Sequence, residues 1–227
     1  GRILGHEVKN PLAGISGAAQ LLKRRANGHD DDLLSIILDE TNRIERLISR
    51  LSAFELFSAP RKDPFNIHRV VESVLKTEAV VFRDRLTYQR LFDPSLPEIR
   101  GDQDHIHEAI SNLVRNASEA ALSAEETPKV TLETAFETGF TIASLGPEKK
   151  FGRAIRITVQ DNGPGIPPER RDTLFQPFTS TKAGGRGLGL SIVSDIVKAH
   201  NGRVKLTSET GKTRFSIYLP ISVREAK

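Results

Sequence analysis

From Ile3 to Leu51 apolar residues recur three or four positions apart, in two runs separated at Asn27-Gly28. That period belongs to helices, and it restricts the first quarter of the chain to a helical hairpin. The first run sets Ile3, Leu4, Val8, Leu12, Ile15, Ala18, Ala19 and Leu22 along one side of a helix reaching to about residue 26. Pro11 lies inside it. It has no N–H and its ring crowds the carbonyl four residues back, so a kink is expected there. The second run extends from about residue 32 to 57, and Asp30, Asp31 or Asp32 can cap it. Leu34, Ile37, Thr41, Ile44, Ile48 and Leu51 keep heptad spacing, and Leu33, Ile36 and Leu47 widen the stripe. A hairpin this apolar cannot cover its own faces. It either packs on the rest of its chain or, the preferred reading, pairs with a second copy as a four-helix bundle.

Helical periodicity stops at Ser58-Ala59-Pro60, and the polar, proline-bearing stretch 60–64 reads as a linker. The expected domains are therefore 1–59, a helical hairpin, and 65–227, a mixed α/β domain. In the second domain helices are expected over 67–81, 104–123 and 188–200. Strands are expected over 86–92, 130–135, 154–160, 203–208 and 213–220. Ile155, Ile157 and Val159 alternate with Arg156, Thr158 and Gln160, so one face of that strand is buried. Residues 136–152 are too many for a tight hairpin turn and read as an elaborated hairpin end.

No apolar run approaches the length of a membrane span, and no charged-then-apolar leader opens the chain. Cysteine is absent, which removes disulfide frameworks and thiolate metal sites. A cytoplasmic location fits. The chain lacks methionine even at its start, so it reads as the C-terminal part of a longer protein whose sensory segment is absent. Its net charge of +4 raises the question of nucleic acid. The basic residues are scattered among acids, and solvated faces with a phosphate site account for them without direct nucleic-acid binding.

Four constellations carry chemistry. His6 and Asn10 lie one helical turn apart, with Glu7 beside them. A neutral imidazole can attack phosphorus while a carboxylate takes the proton of its other nitrogen. Asn10 can orient a water without carrying charge. Asn112 and Asn116, also one turn apart, offer carboxamide oxygens suited to a hard cation that bridges phosphates. Asp161 follows a buried strand and leads into Gly163-Pro164-Gly165. Its carboxylate can accept a hydrogen bond from an exocyclic amine, and the glycines admit a planar base. Gly185, Gly187, Leu188 and Gly189 open a helix whose N–H groups favour an anion. This is neither a Walker-A loop nor a dinucleotide fingerprint. Before it, Phe175, Phe178, Thr181 and Lys182 suggest a mobile lid that reaches a terminal phosphate.

The order and spacing of these segments resemble the two-component sensor histidine kinases over nearly the whole chain. The His6 segment is similar to the family's H box, 112–117 to its N box and 161–165 to its G1 box. Likewise 175–178 is similar to the F box and 185–189 to the G2 box. The resemblance implies a dimeric phosphotransfer hairpin followed by the ATP-binding α/β sandwich shared with gyrase, Hsp90 and MutL. Residues 6–22 and the lid Thr179-Ser180-Thr181-Lys182 are most similar to nitrogen-regulation kinases of the NtrB type. That implies ATP and Mg2+ as cofactors, with Asn116 on the metal. It also implies an NtrC-type response regulator as partner, PII signalling proteins as regulators and an upstream PAS domain. The alternatives to be separated by experiment are a kinase of another two-component pathway, an ATPase or serine kinase of the same fold, and a scaffold without chemistry.

Overall fold

The computed structural model describes residues 15, 19, 20, 34, 37, 41, 61, 63–124, 127–141, 151–176, 179 and 188–221. The chain divides into two compact units, Gly1–Ser58 and Ala59–Lys227. In the first unit all six described residues are helical, with Ala19, Leu34 and Thr41 buried. Thr41 Oγ1 donates to the Ile37 carbonyl at 2.6 Å, which satisfies the hydroxyl within its own helix.

The second unit opens with β1 (Asp63–Phe65), which pairs antiparallel with β3 (Ile99–Gly101). Asp63 and Pro64, placed in the linker by their composition, are thus strand residues. Asn66 caps α1 (Ile67–Phe82) by accepting the His68 N–H at 2.8 Å. Val70, Val71, Val74 and Leu75 then bury one stripe of that helix. After β2 (Thr87–Phe92) and β3, Asp102 caps α2 (Gln103–Ala121) through the amides of Asp104 and His105. Burial alone would raise the Asp102 carboxyl. The amides of His105, Arg61 and Asp104 and the nearby His105 ring outweigh that, and hold it below the usual carboxylate range.

A five-stranded sheet runs β2-β4-β5-β7-β6, with β4 at Lys129–Thr141, β5 at Phe151–Asp161, β6 at Arg203–Glu209 and β7 at Lys212–Pro220. Only the β2–β4 pair is parallel. The β4–β5 ladder continues to Thr141↔Phe151 with an irregularity near Thr138. Residues 136–141 and 151–152, expected in an irregular hairpin end, are therefore mostly regular strand. The short helix α3 (Pro168–Arg171) and α4 (Gly189–Ala199) complete the unit. Ile106, Ile110, Leu113 and Val114 of α2 are fully buried, as are Val193 and Val197 of α4. Leu132, Ile155, Ile157 and Ile217 supply the buried side of the sheet. This helices-on-sheet core is the mixed α/β sandwich expected for the second domain. No described helix is long and apolar enough to cross a membrane.

Candidate functional site

Three elements present the described candidates. On α2, Asn112 donates its Nδ2 to the Glu108 carbonyl at 3.0 Å, which fixes the direction of its oxygen. That Oδ1 lies 3.1 Å from where a Cβ on Gly189 would stand, and Asn116 Nδ2 lies 3.7 Å from it. The two carboxamides therefore converge on the first turn of α4, where a Cβ in place of Gly189 would crowd the Asn112 oxygen. Arg115, between them in sequence, turns away. Its Nη2 meets the fully buried Glu78 of α1 at 2.9 Å, and Ser111 Oγ donates to the same oxygen at 3.2 Å. Leu188 holds α4 from its start, since its carbonyl accepts Ile192 N–H at 3.0 Å and Ser191 Oγ–H at 2.9 Å.

Asp161, the last residue of β5, is 3% exposed. Its Oδ1 accepts the Gly163 N–H at 2.9 Å, which orients the carboxyl at the strand's end. Gly163 passes so close to α2 that a Cβ there would stand 2.7 Å from the Ala120 carbonyl oxygen. Gly165 has φ +87°, and a Cβ there would collide with the Glu209 carbonyl. The loop after Asp161 is thus clamped between the end of α2 and the β6–β7 turn.

Sequence reading passed over several residues that hold this loop. Arg171 donates Nε to Ile166 O at 3.0 Å and Nη2 to Ser208 O at 2.7 Å. Ser208 Oγ accepts the Ile166 N–H at 2.9 Å. Asn162, adjacent to Asp161, binds outward to Lys129 N–H and Thr127 O, both at 2.9 Å, so it fastens the base of β4. No sequence signal marks Arg171 or Ser208, because their partners are backbone atoms that only the fold brings near. Phe175 packs edge-on against the buried Phe215, ring centroids 6.3 Å apart. His6, Glu7, Asn10, Phe178, Thr181, Lys182, Gly185 and Gly187 lie outside the described residues.

Asn112, Asn116 and Gly189 thus meet where α2 faces α4, while Asp161, Gly163 and Gly165 form a loop held by the end of α2 and the β6–β7 turn. Residues 101–223, just over half of the chain, match the family described as histidine kinase-, DNA gyrase B- and HSP90-like ATPase. The chain belongs to that family. Residues 2–58 match the His Kinase A (phospho-acceptor) domain. The chain is 37% identical to the sensory histidine kinase/phosphatase NtrB of Rhizobium meliloti (strain 1021), over 97% of this chain and 57% of that protein. It is 40% identical to the protein of the same name from Escherichia coli O157:H7, over 97% of this chain and 61% of that protein. It therefore spans about three-fifths of the length of these relatives. Among solved structures, the catalytic domain of histidine kinase ThkA aligns over 70% of this chain and 95% of its own. The TM-score is 0.58 and the identity 26%. The histidine kinase-like ATPase fold in the second unit accounts for the mixed sheet, whose central strand β5 ends at Asp161.

Proposed function

We propose that the chain is the kinase core of an NtrB-type sensor. In this reading it phosphorylates His6 from ATP, passes the phosphoryl group to an aspartate of an NtrC-type response regulator, and removes it again. The observation that carries the reading is the convergence of Asn112 and Asn116 on Gly189, together with the buried Asp161 and a glycine loop that packs on the end of the same helix α2. Asp161 accepts the adenine amine, and Gly163 and Gly165 let the base approach. Phe175 and Phe178 seat the lid, Thr181 and Lys182 reach the terminal phosphate, and the amides of 185–189 bind phosphates. Lys182 stabilises charge developing on the transferred group.

The oriented carboxamide oxygen of Asn112 and the adjacent Asn116 fit Mg2+, which keeps most of its waters and needs few protein ligands. When bound, the ion neutralises phosphate charge. On the hairpin, His6 attacks, Glu7 holds the proton of the second nitrogen, and Asn10 positions a water for dephosphorylation. Stripe residues Ile15 and Ile37 are 50% and 43% exposed in the single chain, which supports a homodimeric bundle that covers them. The reading extends to PII proteins as regulators and to a cytoplasmic setting, which the resemblance to NtrB-type kinases supports.

Incubation with γ-labelled ATP, followed by acid and alkali treatment, tests the reading. Label that is lost in acid and survives alkali marks phosphohistidine. Acid-stable label points to a serine kinase, and free labelled phosphate without protein label points to an ATPase. Neither reaction would leave the scaffold reading.

A further inference from the structure

The side of β5, β6 and β7 turned away from the core carries an ordered polar grid. Ile155, Ile157 and Val159 on β5, and Phe215, Ile217 and Leu219 on β7, face the core. The residues between them face the other way. Strand register aligns Arg156, Tyr218 and Arg203 in one row, Thr158, Ser216 and Lys205 in the next, and Gln160, Arg214 and Thr207 in a third. A cavity of about 290 Å³ opens over this grid, and its lining includes Arg156, Thr158, Lys205, Arg214 and Ser216. It shares no residue with the Asp161 site.

Its charges are unevenly matched. Glu133 and Glu137 both bind Arg156, at 2.8 and 3.4 Å. Lys205 and Arg214 have no carboxylate partner among the described residues, and the Arg214 Nε donates instead to the neutral Gln160 Oε1, which leaves its charge uncompensated. Arg203 lies over the Tyr218 ring, 5.9 Å from its centroid. The floor is polarised in one direction. Arg156 Nη1 donates to Thr158 Oγ1 at 3.0 Å, and Thr158 Oγ1 lies 2.8 Å from Ser216 Oγ. Thr158 is 2% exposed, and its own proton has Ser216 Oγ as the acceptor within reach. The arrangement that leaves no buried donor unpaired has Thr158 donating to Ser216. The Ser216 O–H, on a residue only 9% exposed, is then left to donate into the cavity beside two cations that no described carboxylate pairs.

We propose that this cavity binds a small oxyanion, the phosphate or carboxylate group of a soluble ligand, through the Ser216 hydroxyl, the Lys205 ammonium and the Arg214 guanidinium. A merely solvated basic face needs no buried hydroxyl chain running from a guanidinium to its floor. Charge-assisted donors of three kinds around one small volume suit such a group.

The test uses the 227-residue chain with saturating ADP, so that the α- and β-phosphate positions of the nucleotide are filled, and it is read only at residues remote from the γ-phosphate position. Inorganic phosphate and succinate are titrated separately at ionic strength held constant with chloride, and amide NMR shifts are followed. Saturable shifts are expected at 205–207 and 214–216. Affinity should fall about tenfold or more in the Lys205→Gln, Arg214→Gln double variant. It should fall several-fold in Ser216→Ala and be largely kept in Ser216→Thr, with ADP affinity unchanged throughout. Whichever probe binds tells phosphate from carboxylate. No saturable shift with either probe, or equal binding by all variants (an adventitious ion only), overturns the proposal.

Discussion

Asp161 and Asn10 are the two residues whose proposed roles separate most cleanly. Asp161→Ala removes the charged acceptor for adenine. A hydrogen bond to a charged group contributes about 1.5–3 kcal/mol, so ATP affinity should fall by at least tenfold in calorimetry. Asp161 Oδ1 also orders the Gly163 amide, so Asp161→Asn is the companion variant. It keeps an acceptor for that N–H, and should therefore retain the fold of the loop while still weakening ATP. Unchanged affinity in both would remove Asp161 from the site. For Asn10→Ala, dephosphorylation of the regulator should drop by one or more powers of ten, because positioning one water is an orientation effect. Autophosphorylation should stay near normal, since the proton chemistry rests on His6 and Glu7. Parallel loss of both activities would instead point to a helix damaged next to Pro11.

At the scale of elements, α2 has two functional faces. Asn112 and Asn116 face α4, whereas Arg115 ties the helix to α1 through Glu78. Arg115→Ala leaves a fully buried carboxylate without its cation. Arg115 is itself half exposed, so a loss of about 1.5–3 kcal/mol in urea unfolding is expected rather than the larger cost of a wholly buried pair. Nucleotide affinity should change only slightly, and a large loss there would place Arg115 in the site. The start of the same helix is pH-sensitive. The Asp102 carboxyl is held below its ordinary value in the folded state, so its stabilisation is present above the usual carboxylate range. It is lost as pH falls through the folded value. Asp102→Asn keeps a good cap, and should flatten the acid limb of a denaturation-midpoint profile. A limb identical to wild type would assign the acid sensitivity to other carboxylates.

For the whole molecule, the proposal divides labour between two units, one bearing His6 and the other the nucleotide site. His6→Gln should abolish phosphorylation and leave ATP binding intact. Mixed with Asp161→Ala, it should restore label on the Asp161→Ala chain if subunits exchange and one protomer phosphorylates its neighbour. Chemical crosslinking or light scattering of the mixture establishes exchange. Label on His6→Gln alone would show a different acceptor.

Periodicity alone was enough to place the six described residues of the first unit in helix and to locate α1, α2, α4 and most of the large sheet. Those signals are local: a side chain's face follows from its position along one helix or strand. Motif order was enough for the family, which the match over 101–223 bears out. The pairing of β1 with β3 escaped, because strands of three residues carry too little alternation to stand out from a proline-bearing loop. The extension of β4 and β5 escaped for a related reason: the Thr-Gly step at 138–139 reads as a turn until a partner strand supplies its hydrogen bonds. The sequence predicted that Asn112 and Asn116 would converge, since one helix sets that. Gly189 as the position they converge on, Ser208 and Arg171 as the clamp on the glycine loop, and Arg115 as a structural rather than a site residue were decided by tertiary contacts alone. Each depends on atoms dozens of residues away, many of them backbone carbonyls and amides that carry no side-chain identity to read.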